Sequence, residues 1–316
     1  MTAALYSPTL SYGYVYEDVA RAPFVWDGWR AWMTMAVHAP ARSLTRLLWH
    51  GLGQLTSYAP AWQHGASVFV HLVNGLLIWA LARRLQFDSV AVTVATGVFL
   101  LHPVQLESVA YVSARTELLM TASVLIALWC VERGWVVPAF FSAASAVGGK
   151  EAGVVALALV PLWALWRGLP TWTPTVSMYW GVACWLLLLI ALEWLRVQQL
   201  LWMPGDEVTR TLTAWTLLLG QWIVPTGLSI DPDWARLTPW PIRALAGAAC
   251  GVAVGMLWQE RVRWRTWPAL IGLWVFLLVL PRLAWQLGEG LHVHHLYLAT
   301  VVLSLATGRA FLHKDA

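Results

Sequence analysis

Long apolar stretches recur along the chain, and short segments that carry its few charged residues separate them. A run of about 20 apolar residues is long enough for an α-helix to cross a bilayer. The pattern predicts nine membrane-spanning helices, although several of the runs are shorter than that length. They lie at 65–82, 89–102, 117–131, 135–149, 152–166, 176–194, 242–258, 267–283 and 296–310.

The basic residues near the ends of these segments predict an orientation, because cytoplasmic loops carry the excess of Arg and Lys. Successive spans alternate in direction without conflict if the segments that carry these residues are cytoplasmic: Arg83, Arg84, Arg133, Arg167 and Arg309. A further apolar segment, 212–225, would move the Arg-rich 261–265 loop outside if it crossed, so we expect an interfacial or re-entrant helix there. The N-terminus is then external and the C-terminus cytoplasmic.

This orientation divides the chain into an external N-terminal segment, 1–64, and a transmembrane bundle, 65–316. The N-terminal segment is rich in aromatic residues and is expected to contain interfacial helices. The external loops of the bundle are 103–116, 195–241 and 284–295.

Composition leads to the same class. Of 316 residues, 59% are hydrophobic and 11% are charged, which is less than half of the usual charged share. That balance excludes a soluble domain, a disordered chain and a disulfide scaffold, and it predicts an all-α polytopic membrane protein. The 24 tryptophans fit many membrane interfaces. The net charge of +4 is interpreted as a topology signal, and no nucleic-acid partner is expected.

Ionisable residues on the external side are candidates for chemistry. Glu17 and Asp18 could supply a general base for an acceptor hydroxyl, or they form a solvated acidic turn. His102, Glu107 and Arg115 lie at a membrane boundary, where ionisable groups are costly unless they are paired or functional. If 104–117 is helical, Glu107 and Arg115 share a face, and the alternative to function is a structural ion pair.

Three further clusters lie on the same side. Lys150, which follows Gly148 and Gly149, could hold a lipid phosphate, or it pairs with a local Glu. The run His292-Val-His294-His295 could bind a phosphate, a sugar or a metal, but no CxxC or HExxH accompanies it, and we expect no metal. The segment 225–234 (PTGLSIDPDW) predicts a tight external loop.

Together these pieces resemble the membrane portion of the transmembrane and tetratricopeptide-repeat O-mannosyltransferases, which are GT-C-class glycosyltransferases, and of their bacterial relatives. The most specific piece is LHPVQLESVAYVSAR at 101–115, which is similar to the family's L-H-P-x-x-x-E-S-V-A-x-x-S-x-R. Weaker pieces follow the family's order: VYED at 15–18, RSLT at 42–45, FVHLVN at 69–74, GKE at 149–151, PTGLSIDPDW at 225–234 and HLYL at 295–298.

The resemblance implies a GT-C-like bundle that transfers mannose or a similar hexose from a polyprenyl phosphate at the outer face of a bacterial inner membrane. Asp18, with Glu17, would be the base of an inverting displacement. The remaining implied residues would bind the donor and its lipid phosphate: Arg115, Lys150, His294, His102, Glu107, Arg42 and Tyr297. No metal or other cofactor is required, because fixed cations can stabilise a monophosphate leaving group.

The chain departs from the family's pattern in several places. Glu17 replaces an Asp, and Val293-His294 replaces Glu-Arg. The family's first transmembrane helix would precede Tyr16, and no tetratricopeptide repeats follow. The alternative hypothesis is therefore a non-catalytic GT-C-like accessory subunit, in which other membrane subunits supply the missing helix.

Overall fold

The computed structural model of the chain describes residues 2–15, 18, 28–38, 41–184, 205–226, 228, 265–284 and 292–311. All regular elements of the described residues are helical. They are α1 (Thr2–Tyr6), α2 (Gly28–His38), α3 (Ser43–Thr56), α4 (Pro60–Arg84), α5 (Ser89–Leu101), α6 (Gln105–Ala110), α7 (Arg115–Glu132), α8 (Val136–Gly149), α9 (Ala156–Arg167), α10 (Gly205–Ile223), α11 (Trp267–Ala284) and α12 (Tyr297–Ala310).

The predicted apolar segments coincide with these helices where they fall on described residues. The segment 152–166 begins with a 3-10 turn, Glu151–Val155, before α9. Only 176–184 of the 176–194 segment is described, and it is helical. The segment 242–258 lies outside the described residues. The apolar segment 212–225 falls largely within α10.

Local sequence signals set the helix ends. Pro60 begins α4 in the first turn, where its missing N–H costs no hydrogen bond. Asp88 caps α5 by accepting a hydrogen bond from the Ala91 N–H at 2.8 Å. Gly168 ends α9 with a φ of 64°, a left-handed conformation that glycine adopts without a steric penalty.

Helix α7 is the centre of the fold, because it packs against α4, α8, α9 and α12. Its Leu118, Val124, Leu125 and Leu128 side chains are fully buried. An α-helix rises 1.5 Å per residue, so the 18 residues of α7 extend about 27 Å, close to the thickness of a bilayer's hydrocarbon core.

The two ends of α7 carry different charged groups. At its C-terminal end, Glu132 accepts hydrogen bonds from Arg167 Nε and from Trp163 Nε1, both at 2.8 Å. Arg167 also donates to the Arg84 carbonyl. Three of the basic positions used for orientation therefore lie at one end of the bundle: Arg84, Arg133 and Arg167. The predicted site residues that the structure describes lie at the other end.

Two helical stretches are long and apolar enough to cross a membrane by length and composition: Pro60–Arg84, which is α4, and Val112–Glu132, which contains α7. Helix α4 has apolar residues on its exposed face and polar residues on its buried face, the reverse of a helix in a water-soluble protein. Phe69 and Leu76 face outward, each 66% exposed, whereas His71 and Asn74 are fully buried. An apolar exterior around a polar interior suits contact with lipid rather than with water.

Candidate functional site

Five of the predicted site residues gather around the N-terminal end of α7: Asp18, Glu107, Arg115, Lys150 and His294. The segment 104–117 is not one continuous helix, because Tyr111 has extended backbone (ψ 114°) and a 3-10 turn, Val112–Ala114, follows it. Glu107 and Arg115 therefore belong to different helices, and each contacts a different partner. The condition for a shared helical face, a continuous helix over 104–117, is therefore not met.

Asp18 is fully buried against this turn. Its carboxylate accepts hydrogen bonds from the Ser113 N–H at 2.8 Å, the Ser113 hydroxyl at 2.5 Å and the Val112 N–H at 3.3 Å. Burial raises the pKa of Asp18 above its ordinary value, while the hydrogen bonds from Ser113 and Val112 act in the opposite direction. Glu17 lies outside the described residues.

Arg115 is also fully buried, and its guanidinium ties α7 to α4. Its Nε donates to the Ser67 hydroxyl at 3.0 Å, and its Nη1 donates to Gln63 Oε1 at 2.9 Å. Its Nη2 donates to the Gln63 carbonyl, and the guanidinium carbon lies 5.9 Å from the centre of the Trp49 ring. The polar residues of α4 therefore satisfy much of this buried cation's hydrogen-bonding capacity.

His64 lies in the same region as Asp18 and Arg115 and is buried. The backbone of Gly13 and of Ala110 lies beside its ring, but within the described part of the chain neither ring nitrogen has a hydrogen-bond partner of acceptable distance and angle. Burial lowers the pKa of His64, and the neighbouring backbone of Gly13 and the Asp18 carboxylate act in the opposite direction.

Lys150 forms an ion pair with Glu117, which lies in the first turn of α7. Its Nζ donates to Glu117 Oε1 at 2.9 Å and lies 3.1 Å from His295 Nε2. All three side chains are at least nine-tenths buried. Glu151, the Glu adjacent to Lys150 in sequence, does not pair with it. Glu151 pairs with Arg42, whose Nε and Nη2 donate to its carboxylate at 2.9 and 2.8 Å.

Close packing of α8 on α7 makes the Lys150 contact available. A Cβ built on Gly149 would lie 2.5 Å from the Met120 backbone nitrogen, a distance that no real side chain tolerates. The Gly149 carbonyl accepts a hydrogen bond from the Thr45 hydroxyl at 2.8 Å, which adds α3 to the same junction. Glycine at 149 is therefore required for the approach that places Lys150 beside Glu117.

Glu107 and His294 form a buried pair. His294 Nδ1 lies 2.6 Å from Glu107 Oε1, and the His294 N–H donates to Glu107 Oε2 at 3.1 Å. Burial raises the pKa of Glu107 to about 8, with hydrogen bonds from the His294 and Val293 backbone acting in the opposite direction. With this raised pKa, Glu107 binds its proton more tightly than an exposed carboxyl group does.

Two predicted residues lie apart from these contacts. Tyr297 begins α12 and is fully buried, and its hydroxyl lies 2.7 Å from His71 Nδ1 and accepts from Asn74 Nδ2 at 3.2 Å. Asn74 also donates to the Leu118 carbonyl at 3.0 Å. His102 stacks on Trp222 of α10, with the ring centres 5.1 Å apart and the planes nearly parallel.

Sequence reasoning missed the partners that hold the site together: Gln63, Ser67 and Glu117. Gln63 and Ser67 stand in an apolar helix with His71 and Asn74, and polar residues at this spacing on a hydrophobic helix indicate a buried polar face. The sequence pattern therefore indicates that Gln63 and Ser67 are buried, but it does not predict that they contact Arg115. Of the segment 225–234, only residues 225, 226 and 228 are described.

No protein family, curated protein or solved structure matches this chain.

Proposed function

We propose that this protein is a membrane glycosyltransferase that uses a polyprenyl-phosphate sugar, mannose or a similar hexose, at the outer face of a bacterial inner membrane. In this proposal the bundle has nine spans, an external N-terminus and a cytoplasmic C-terminus, and its architecture is GT-C-like. The proposal rests on the sequence resemblance and on one structural observation.

That observation is the convergence of residues that are distant in sequence. Asp18 contacts the turn at 112–114, Arg115 begins the helix that follows it, and Lys150 pairs with Glu117 in the first turn of the same helix. Glu107 and His294 meet beside this group. A general base and several cations at one end of a bundle are what an inverting transfer to a hydroxyl requires.

The chemistry assigns one role to each charge. Asp18 takes the proton of the acceptor hydroxyl, and the acceptor oxygen forms a bond to the anomeric carbon of the sugar. The bond between that carbon and the phosphate oxygen breaks, and the lipid phosphate leaves with the electron pair. Lys150, with Arg115 and the protonated form of His294, provides the positive potential that stabilises the phosphate. A raised pKa suits Asp18 to the role of base.

The experiment uses membranes that contain the protein and a radiolabelled polyprenyl-phosphate hexose. We expect wild type to transfer label and Asp18→Asn to lose at least about 100-fold, as general-base removal does. Asp88→Asn is the matched control, because Asp88 caps α5 and Asn caps a helix equally well. Equal transfer by wild type and Asp18→Asn would remove Asp18 from the mechanism.

A second candidate function is a non-catalytic accessory subunit. The observation that favours it is internal pairing, because Arg115 is bound by Gln63 and Ser67, and Lys150 is bound by Glu117. Purification in mild detergent separates the two candidates. A stoichiometric complex with other membrane proteins, combined with no transfer by wild type to any acceptor, would favour the accessory subunit.

A further inference from the structure

Glu117, His294 and His295 converge on a single point inside the bundle. One side-chain ligand atom from each of the three lies within 4.8 Å of the others, and all three residues are buried. Two imidazoles and one carboxylate are a common ligand set for zinc and related divalent metals.

The surroundings orient the two imidazoles as a metal site does. Glu107 Oε1 contacts His294 Nδ1 at 2.6 Å, and the His292 carbonyl oxygen lies 3.0 Å from His295 Nδ1, which donates to it when Nε2 is the ligand atom. Both rings are therefore fixed through Nδ1, which turns their Nε2 edges away from these partners. In metal proteins a carboxylate or backbone group on one ring nitrogen orients the other toward the ion.

The Lys150 ammonium lies beside two of the three ligand atoms. It lies 2.9 Å from Glu117 Oε1 and 3.1 Å from His295 Nε2. The distance between those two ligand atoms is 3.9 Å. Tetrahedral zinc with bonds of about 2.1 Å would hold them about 3.4 Å apart. The site is wider than a zinc site, as expected around an ammonium, whose hydrogen bonds are longer than metal bonds.

We propose that Glu117, His294 and His295 form a cation site whose resident cation is the tethered Lys150 ammonium. The same three side chains bind a divalent transition metal ion when Lys150 is shortened. The chain thus carries a covalently attached substitute for a metal ion, and its charge is present whatever the metal supply. This inference does not depend on the proposed transferase activity.

The test is a cobalt titration of purified protein in detergent. Co²⁺ is a spectroscopic substitute for zinc and gives visible absorption in a tetrahedral site. We expect Lys150→Ala to bind one Co²⁺ per chain and wild type to bind none at the same Co²⁺ concentration. We expect the double variants Lys150→Ala/His295→Ala and Lys150→Ala/Glu117→Ala to lose the absorption.

Lys150→Ser serves if the alanine variant does not fold, because serine is also short enough to leave the position of the ammonium open. For that variant the readout is a Co²⁺-dependent rise in melting temperature that His295→Ala removes. Absence of one-to-one binding in the folded Lys150 variants would overturn the proposal. Binding that persists without His295 and Glu117 would overturn it as well.

Discussion

The Asp18 carboxylate is held by Ser113, whose backbone N–H and hydroxyl both donate to Oδ1, at 2.8 and 2.5 Å. A residue of the N-terminal segment is thereby fixed to the turn that precedes the central helix. The contact joins parts of the chain that are 95 residues apart. Displacement of Asp18 would therefore leave the Ser113 and Val112 donors, just before α7, without this partner.

Replacing Ser113 tests this attachment. We expect Ser113→Ala to lower the free energy of unfolding by about 2 kcal/mol, because a buried hydrogen bond to a charged group is lost. Thermal melting in detergent measures the change, and Ser113→Thr should restore most of it. Ser142→Ala is the control, since the Ser142 hydroxyl donates to a neutral carbonyl at 3.2 Å and its loss should cost about 1 kcal/mol or less.

Arg115→Lys tests the guanidinium as a cross-link between α7 and α4. A lysine ammonium cannot span the Ser67 hydroxyl and both oxygens of Gln63, so we expect a destabilisation of about 3 kcal/mol. Arg133→Lys is the matched control, because Arg133 is exposed at the other end of α7. Equal melting temperatures for the two variants would show that Arg115 contributes no such cross-link.

Gly149→Ala should separate α8 from α7, since the new methyl group meets the Met120 nitrogen at 2.5 Å. We expect a loss of about 2 kcal/mol or more, as in other overpacked cores. Gly97→Ala provides the comparison, because Gly97 is helical and no atom lies within 4 Å of the added carbon. That variant should gain up to about 1 kcal/mol from helix propensity.

The pKa of Glu107 predicts a dependence of stability on pH. Burial raises this pKa from 4.5 to about 8, so the folded state binds the proton more tightly than the unfolded state. The stabilising contribution is complete below pH 4.5 and is lost as the pH rises through about 8. Melting curves from pH 5 to pH 9 should therefore fall more steeply for wild type than for Glu107→Gln. Parallel curves would contradict the assignment.

The outward face of α4 distinguishes a lipid environment from water. The Phe69 side chain is 66% exposed. If this face contacts lipid, Phe69→Arg should raise the free energy of membrane insertion by about 3 kcal/mol, whereas in water the substitution should change stability little. Carbonate extraction of membranes measures the integrated fraction, which we expect Phe69→Arg to reduce. Leu55→Arg, at the end of α3 and 85% exposed, is the control and should remain integrated.

The sequence predicted the helices better than it predicted the contacts between them. The apolar runs located α4, α5, α7, α8 and α12 to within a few residues, because burial in an apolar phase selects long hydrophobic segments. The sequence did not predict that Arg115 contacts Gln63 rather than Glu107. That choice depends on the extended backbone at Tyr111, and neither Tyr111 nor its neighbours carry a strong turn signal.

The charged pairs show the same limit. Lys150 and Glu151 are adjacent, yet each pairs with a residue that is distant in sequence, Glu117 and Arg42 respectively. The close approach of α8 to α7 at Gly149 decides this, and a tertiary contact of that kind has no local signature. The nine spans and the transferase activity remain predictions.

Asn74, whose amide bridges the Leu118 carbonyl and the Tyr297 hydroxyl, is also the single asparagine of the chain. Selective ¹⁵N labelling of asparagine would therefore give one side-chain amide signal, located where α4, α7 and α12 meet. That signal would report any shift among these three helices without an attached probe. The Asn74 amide is therefore a native spectroscopic probe of this helix junction, and it has no role in the proposed transfer reaction.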